Sequence, residues 1–514
     1  MNAGKLIEFS LGVAEKWTQP KGTPLQQQQK VLSRLLKKAK ATEFGKYYNF
    51  KKISKQPNFI ETYQQVVPFH DYNQLYDQWW HRTLAGESNV TWPRKVKYFA
   101  LSSGTSNATS KRIPISHTMF KMLRQAALRL FTNIPAFHPA ENIYTKSWLG
   151  IGGTSRMDKV HGHFEGYLSG INARKRPFWT KGFYRPGDKI TTITEFNMRT
   201  DFIAAAAANW DVGLIIGIPH WVQITMERIL KDNQLDTLNE IWPNLGIFIS
   251  GGVDYKPYQK TIEALVGHPI TNINTYMASE GMIAYQDDPN QSDLQLLLDG
   301  GIFFEFVPFN TANFDDEGNL RGKPRAYTVA EVKEGIDYAV IISTCSGAWR
   351  YLLGDTVRFT DVEKGRITIA GRTKYYLNLC TEHLTGDNMI AAISRTEEAL
   401  DIAITEFTIA PMRKDNYFKH HWFIGLNENV DGEVVKNLID THLKALNDDY
   451  KAERETALSM DLEIVPITYF YEWLEKHSNA AGQSKMPRVT RGKALESWQQ
   501  FLVQKTEVLN PMLP

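Results

Sequence analysis

Cysteine is scarce in this chain. Two occur in 514 residues, Cys345 and Cys380, and neither belongs to a C-x-x-C pair. That argues against a zinc ribbon or a disulfide scaffold and fits a reducing, cytoplasmic setting. Net charge is scarce as well. The formal balance is +3, which gives no reason to expect nucleic acid or an anionic membrane as the main partner. Long apolar runs are missing: stretches such as residues 212–218 fall far short of the roughly 20 residues a membrane helix needs and read as buried strands. Residues 1–17 carry Glu8 and Glu15 and no continuous apolar core, so they do not read as a signal peptide. No G-x-x-x-x-G-K-[ST] and no G-x-S-x-G occurs, which excludes a Walker loop and makes a serine-hydrolase elbow improbable.

What is present describes an ordinary globular protein of two or more folding units. Hydrophobic residues make up 42% and charged residues 22%, a balance that disfavours disorder. Residues 25–39 place Leu25, Val31, Leu32, Leu35, Leu36 and Ala39 on one helical face. Short apolar runs at 143–149, 212–218, 245–249 and 302–306 alternate with helical segments. This pattern predicts an α/β fold with a largely parallel sheet covered by helices. Around residues 327–359 the runs shorten, predicting an appended antiparallel piece. Beyond residue 380 the character changes again. Strand candidates at 402–409, 418–424 and 461–465 with a helix over 432–445 predict a small α+β domain.

Five polar segments carry the chemistry, and each admits a plain structural reading beside the functional one. Leu101-Ser102-Ser103-Gly104-Thr105-Ser106-Asn107-Ala108-Thr109-Ser110-Lys111-Arg112 follows a strand-like run. Its glycine lets backbone approach a ligand, its hydroxyls and amides donate, and its lysine adds a point charge, as a polyphosphate requires; a polar surface turn is the plain alternative. Gly251-Gly252 ends a hydrophobic run, where a flat base could lie against backbone at the carboxyl end of a strand, or the chain could simply turn into a helix. In Tyr276-Met277-Ala278-Ser279-Glu280 the ring could stack on a base and the carboxylate could hold Mg²⁺; otherwise Ser279 caps a helix and Glu280 favours its dipole. Asp355, after Gly354, is placed to accept from two ribose hydroxyls, or Gly-Asp is a hairpin turn. Lys485 lies in Gly482-Gln483-Ser484-Lys485-Met486-Pro487-Arg488 and is otherwise an exposed loop lysine.

Together these segments resemble the adenylate-forming superfamily, and more narrowly the acyl-acid-amido synthetases of the auxin-responsive Gretchen Hagen family in its bacterial branch. The likeness extends to Trp242-Pro243-Asn244, Gly371-Arg372-Thr373-Lys374 and Leu446-Asn447-Asp448-Asp449-Tyr450. It runs from about Thr42 to Arg488. It implies a large multi-layer N-terminal ATP- and acyl-binding domain over residues 1–380, with mainly parallel sheets and a small β-barrel-like piece. A mobile C-terminal domain over 381–514 would follow. It implies ATP and Mg²⁺ as cofactors, a small carboxylic acid and a small amine, an amino acid above all, as partners, and an acyl-adenylate intermediate. Carried onto this chain, Ser102, Ser103, Gly104, Thr105, Ser106 and Lys111 would hold phosphates, and Gly251, Gly252 and Tyr276 would flank adenine. Ser279 and Arg372 would border the nucleotide. Glu280 would bind Mg²⁺, Asp355 the ribose, and Lys485 the α-phosphate region. Where plant members carry a hinge Asp-x-Asp-Lys run, this chain has Cys380-Thr381-Glu382-His383, with His383 in the lysine's place.

Weaker candidates are His161 and His163 for a metal, His220 for an acyl pocket, and Arg124 and Arg129 for a substrate carboxylate. Each has a commoner fate in a loop, a cap or a solvated helix face, and Trp148 and Trp179 read as core. Two further functions compete: an adenylating ligase with a thiol acceptor, as in acyl-CoA ligases, and a non-catalytic acyl or nucleotide sensor. The joint presence of Glu280, Asp355 and Lys485 disfavours the sensor, since a pure binder needs neither a metal ligand nor a mobile lysine.

Overall fold

The structure is a computed structural model. It describes Val13 and residues 20–102, 111–139, 141–176, 178–315, 318–373, 377, 382, 384, 386–414, 417–428, 430–447, 450–451, 453–454, 458–477 and 485–509. The chain divides into two compact units. One comprises Met1–Pro308, Lys323–Leu353 and Val357–Ile369; the other comprises Phe309–Gly322, Gly354–Thr356 and Ala370–Pro514.

Helix Pro24–Ala39 starts as its sequence dictates. Thr23 and Gln26 form a reciprocal capping box and Pro24 stands at the first helical position. Its apolar stripe, Val31, Leu32, Leu35, Leu36 and Ala39, is buried. Gln28, on the same helix, donates to the carbonyls of Leu298 and Ile302 and accepts from the Phe304 amide. One side chain thereby satisfies a buried strand's backbone.

Eleven strands of the described residues form the main sheet. In spatial order they are Ile302–Pro308, Asp337–Thr344, Tyr351–Asp361, Arg366–Arg372, Leu294–Leu296, Gly281–Tyr285, Thr271–Ala278, Ile247–Gly251, Val212–Gly217, Ser147–Ile151 and Tyr184–Arg185. The last five run parallel to their neighbours. Beyond Thr271–Ala278 the pairs with Gly281–Tyr285 and Leu294–Leu296 are antiparallel, as is Ile302–Pro308 with Asp337–Thr344. The run at 302–306 is therefore a buried strand, as expected, but an antiparallel one. A parallel neighbour needs a long crossover, usually a helix, and no helix occurs among the described residues between Pro308 and Asp337. The strands Asp337–Thr344 and Tyr351–Asp361, expected as an appended antiparallel piece, are continuous with the main sheet.

A separate four-stranded sheet orders Lys111–Ile115, Tyr98–Ser102, His163–Gly166 and Asp158–Val160. The second unit is built on Glu406–Lys414, Tyr417–Gly425 and Leu458–Val465. Its side chains alternate as the pleat requires. Phe407, Ile409, Trp422 and Ile424 pack with residues of helices Gly386–Leu400 and Gly432–Leu446, whereas Ala410 and Phe423 pack with residues of Ile467–His477 and Gly492–Leu509. Helices thus cover both faces. Among the described residues no helix is long and apolar enough to cross a membrane.

Candidate active site

In the first unit, the polar segment is bridged by a hairpin. Ser102 ends strand Tyr98–Ser102 and pairs with Lys111, which begins Lys111–Ile115. Ser103, Gly104, Thr105 and Ser106 lie outside the described residues. The exit of the hairpin is pinned: the Arg112 amide donates to the Tyr72 hydroxyl at 2.9 Å, and Arg112 Nε bonds both oxygens of Glu165 at 3.0 Å. Lys111 Nζ sits 5.5 Å from the Tyr72 ring centre. Tyr72 and Glu165 lie far from the hairpin in sequence, and no local pattern marked them.

Gly251 ends the central parallel strand, and a side chain there would meet Thr275 Oγ1 at 2.6 Å. Gly252 adopts φ +90° and leads toward helix Lys256–Val266. Glycine is needed at both positions, once for close strand approach and once for a left-handed bend. The pair lies at the carboxyl end of the parallel strands, where ligands of open α/β sheets bind.

Ser279 and Glu280 are the two-residue tip of a hairpin, with Ala278 paired to Gly281. The helix-cap reading of this segment is thereby overturned: the sequence continues as strand on both sides, so no helix follows Ser279. Tyr276 is 5% exposed within the main hydrophobic core. Glu280 is 7% exposed, and its charge adds to the burial that holds the Tyr351 hydroxyl well above the usual phenol range. A carboxylate at this depth suits a hard cation that also takes phosphate oxygens. No group of three or more His, Cys, Asp or Glu side chains that could hold a metal ion occurs among the described residues.

The residue before Tyr351 is a structural cation. Arg350, at φ +43°, is buried against Glu305, with Nη2 2.9 Å from the carboxylate. It also donates to the carbonyls of Gln64 and Val67.

In the second unit, Asp355 follows Gly354, which has φ +91° and no atoms near a would-be side chain. Backbone conformation, not space, selects glycine there. The hairpin-turn reading fails as well, because both residues lie inside the continuous strand Tyr351–Asp361. Asp355 is buried and its Oδ1 is 2.8 Å from Arg372 Nε. Lys485 feels the same pair. The protein surrounding its ammonium lowers its pKa to about 8; Arg372 adds to the depression and Asp355 opposes it. The residue nevertheless keeps an exposed surface, so solvent screens part of that depression. The loop carrying Lys485 is fastened to strand Glu406–Lys414. Ile409 N donates to Arg488 O and Thr490 N to Ile409 O, Thr408 Oγ1 donates to Pro487 O, and Arg488 reaches Glu406 and the Phe407 carbonyl.

Glu382, in the segment where the resemblance places a hinge, is fully buried and bonded to His420 Nε2 at 2.8 Å. Cys380, Thr381 and His383 lie outside the described residues.

The weaker candidates have the following surroundings. Arg129 forms a two-bond pair with Asp299 at 2.8 Å, and Arg124 donates to the Lys175 carbonyl. His163 is buried on Glu165 at 2.9 Å, while His161 sits at φ +43° in the adjoining turn. His220 is buried beside Trp221 and Tyr258. Trp148 packs against Phe131 and Phe183.

A mixed sheet with paired glycines at its carboxyl edge, a carboxylate on a hairpin tip and a smaller C-terminal lysine-bearing unit define the adenylate-forming fold. Comparisons bear this out. Over 96% of each chain the structure superposes on GH3.15 acyl acid amido synthetase with TM-score 0.76 at 16% identity. Over 93% of this chain and 91% of the other it superposes on 2-hydroxyisobutyryl-CoA ligase in the postadenylation state with 2-HIB-AMP, with TM-score 0.58 at 12% identity. The chain belongs to the GH3 family: the family's N-terminal domain matches residues 15–147, its central domain 295–372 and its C-terminal domain 387–494. Among curated relatives it is 24% identical over 287 residues to the probable indole-3-acetic acid-amido synthetase GH3.12 of Oryza sativa subsp. japonica, covering 48% of this chain and 46% of that one. It is 23% identical over 328 residues to the indole-3-acetic acid-amido synthetase GH3.10 of Arabidopsis thaliana, covering 60% and 50%. The chain spans about half the length of the curated relatives it matches.

Proposed function

We propose that this protein is a cytoplasmic ATP-dependent acyl-acid amido synthetase. A carboxylate oxygen attacks the α-phosphorus of ATP, pyrophosphate leaves, and an acyl-adenylate forms. The nitrogen of an amine, an amino acid by analogy with its relatives, then attacks the acyl carbon, and AMP leaves. The observation that carries this reading is the grouping of Asp355, Arg372 and Lys485. This grouping supports the reading because it offers a hydroxyl acceptor and two cations of the kind that a ribose and an α-phosphate would engage.

In this reading Ser102, Lys111 and residues 103–106 hold the phosphates, and Gly251, Gly252 and Tyr276 flank the adenine. Ser279 and Arg372 border the nucleotide, and Asp355 accepts from the ribose. Glu280 would hold Mg²⁺, which when bound neutralises charge on the departing pyrophosphate. Lys485 stabilises the negative charge that grows on the α-phosphate oxygens. The C-terminal domain, residues 381–514, would move between the two half-reactions, since each needs different groups over one adenylate and closure protects it from water.

The test is pyrophosphate release from ATP against a panel of carboxylic acids, repeated with amino acids and with a thiol. An acid should trigger release, and an amine should raise turnover and yield an amide. Lys485→Ala should lower acid-dependent release by roughly 10²–10³, the worth of one preorganised charge. Near-normal release by a folded Lys485→Ala variant would remove Lys485 from adenylation, and a thioester product would favour the ligase with a thiol acceptor.

A further inference from the structure

Tyr72 has no role in the reading above, yet it meets the start of strand Lys111–Ile115 twice. Its hydroxyl accepts from the Arg112 amide at 2.9 Å, and Lys111 Nζ lies over its ring, 5.5 Å from the centre. An ammonium within about 6 Å of a ring centre is drawn to the negative face of the π-system. One side chain therefore holds one residue by its charge and the next by its backbone.

The ring is itself fixed. Tyr72 opens the short helix Tyr72–Leu75, capped reciprocally by Asp71 and Gln74. His70, two residues earlier, is tied to a distant strand: its amide donates to the Arg350 carbonyl, and its carbonyl accepts from the Leu352 amide. The Tyr72 ring stacks on Tyr76 at 5.8 Å and 24°, and meets the buried Trp80 edge-on at 6.0 Å. Arg112 is fixed too. Both oxygens of Glu165 accept from its Nε at 3.0 Å, and Glu165 Oε1 lies 2.9 Å from Nε2 of the buried His163.

That leaves the Lys111 side chain as the variable part. A lysine is a compact charge on a flexible four-carbon stem, and ordering such a stem costs entropy. A fixed ring face beneath the ammonium restricts it before any phosphate arrives. The ring attracts the charge without consuming all three N–H donors of the ammonium, so the same group can serve phosphate oxygens.

We propose that Tyr72 is a positioning residue for Lys111: its ring face, anchored by the helix and by the hydroxyl's bond to the next amide, holds the ammonium ready for the phosphates of the nucleotide. The proposal rests on the reading of Lys111 as a phosphate-binding residue and names what orients it.

The experiment uses the full chain and measures affinities for ATP, tripolyphosphate and adenosine by isothermal titration calorimetry. Phenylalanine, then phenylalanines bearing one, two and three ring fluorines, are placed at position 72. Fluorine withdraws charge from the ring face at nearly constant shape, so the series reads the ring's attraction for the ammonium and not its packing. ATP and tripolyphosphate affinities should fall stepwise along the series, about two- to fivefold in all, with adenosine affinity unchanged. In a Lys111→Met background the series should be flat. Tyr72→Leu should weaken both phosphate ligands by at least the span of the series; if that variant does not fold, the fluorinated series decides alone. A flat series in the parent background, or a slope that persists in Lys111→Met, overturns the proposal. If Lys111→Met by itself leaves tripolyphosphate affinity unchanged, the phosphate reading of Lys111 falls and takes the proposal with it.

Discussion

At the scale of single residues, the most consequential feature is the ionisation of Lys485. An ordinary lysine stays charged to about pH 10.4, whereas here the surrounding protein and Arg372 bring the pKa to about 8. The sign follows directly. If the charged ammonium stabilises the adenylation transition state, adenylation is fully supported below pH 8 and declines as pH rises through it. Lys485→Arg keeps its charge across this range, because guanidinium titrates above pH 12. The expected outcome is an alkaline limb near pH 8 in the pH profile of acid-dependent pyrophosphate release, absent or displaced upward in Lys485→Arg, whatever that variant's absolute rate. An identical limb in both proteins would assign the titration to another group. Arg372 is part of the cause, so Arg372→Gln should shift the parent's limb to higher pH.

At the scale of elements, the sequence was most informative where local chemistry and fold agree. The Thr23–Gln26 capping box and the apolar stripe after it define helix Pro24–Ala39, and alternation in the C-terminal region finds all three strands of its sheet. It was least informative where one local pattern serves two structures. Ser279-Glu280 is as good a helix start as a hairpin tip, and strand pairing on both sides decided it. Gly354-Asp355 has a turn's composition but lies inside a strand, because a positive-φ glycine can kink a strand as well as end it. Partners such as Tyr72 for Arg112 and Glu305 for Arg350 are distant in sequence, so no window along the chain could reveal them. The Glu382–His420 pair is of the same kind. Both residues are fully buried, and the His420 ring stacks on Tyr450 at 20°. Removing one member of a buried pair strands the other, at about 3–5 kcal/mol. His420→Leu should therefore destabilise the second unit by that order in denaturant unfolding, and Glu382→Gln, which can still accept a hydrogen bond from the ring, by clearly less. Equal and small losses would mean that the pair does not anchor residue 382 to the sheet.

At the scale of the whole molecule, the packing predicts how the protein comes apart. The first unit has an extended core from Val31 to Ile367. The second has two of its own, one on each face of the three-stranded sheet. Units that each carry their own core depart from two-state behaviour as a chain. Calorimetry should then resolve two transitions, with a calorimetric enthalpy exceeding the van't Hoff value, and His420→Leu should lower only one of them. The other transition should carry an acid signature from His70. Burial pulls this histidine from its ordinary 6.5 to about 4, while its Nδ1 lies 2.8 Å from the Trp349 carbonyl. Between pH 6.5 and 4 the unfolded chain binds a proton that the folded unit refuses. The stability this confers is complete above pH 6.5 and falls as pH drops through that window, by up to about 1.4 kcal/mol per unit. His70→Asn removes the titration, so the first unit's transition should fall less steeply with acidification in that variant, while the second unit's pH response stays as it was. A single merged transition in the parent protein, moved as a whole by either replacement, would show that the two units unfold as one.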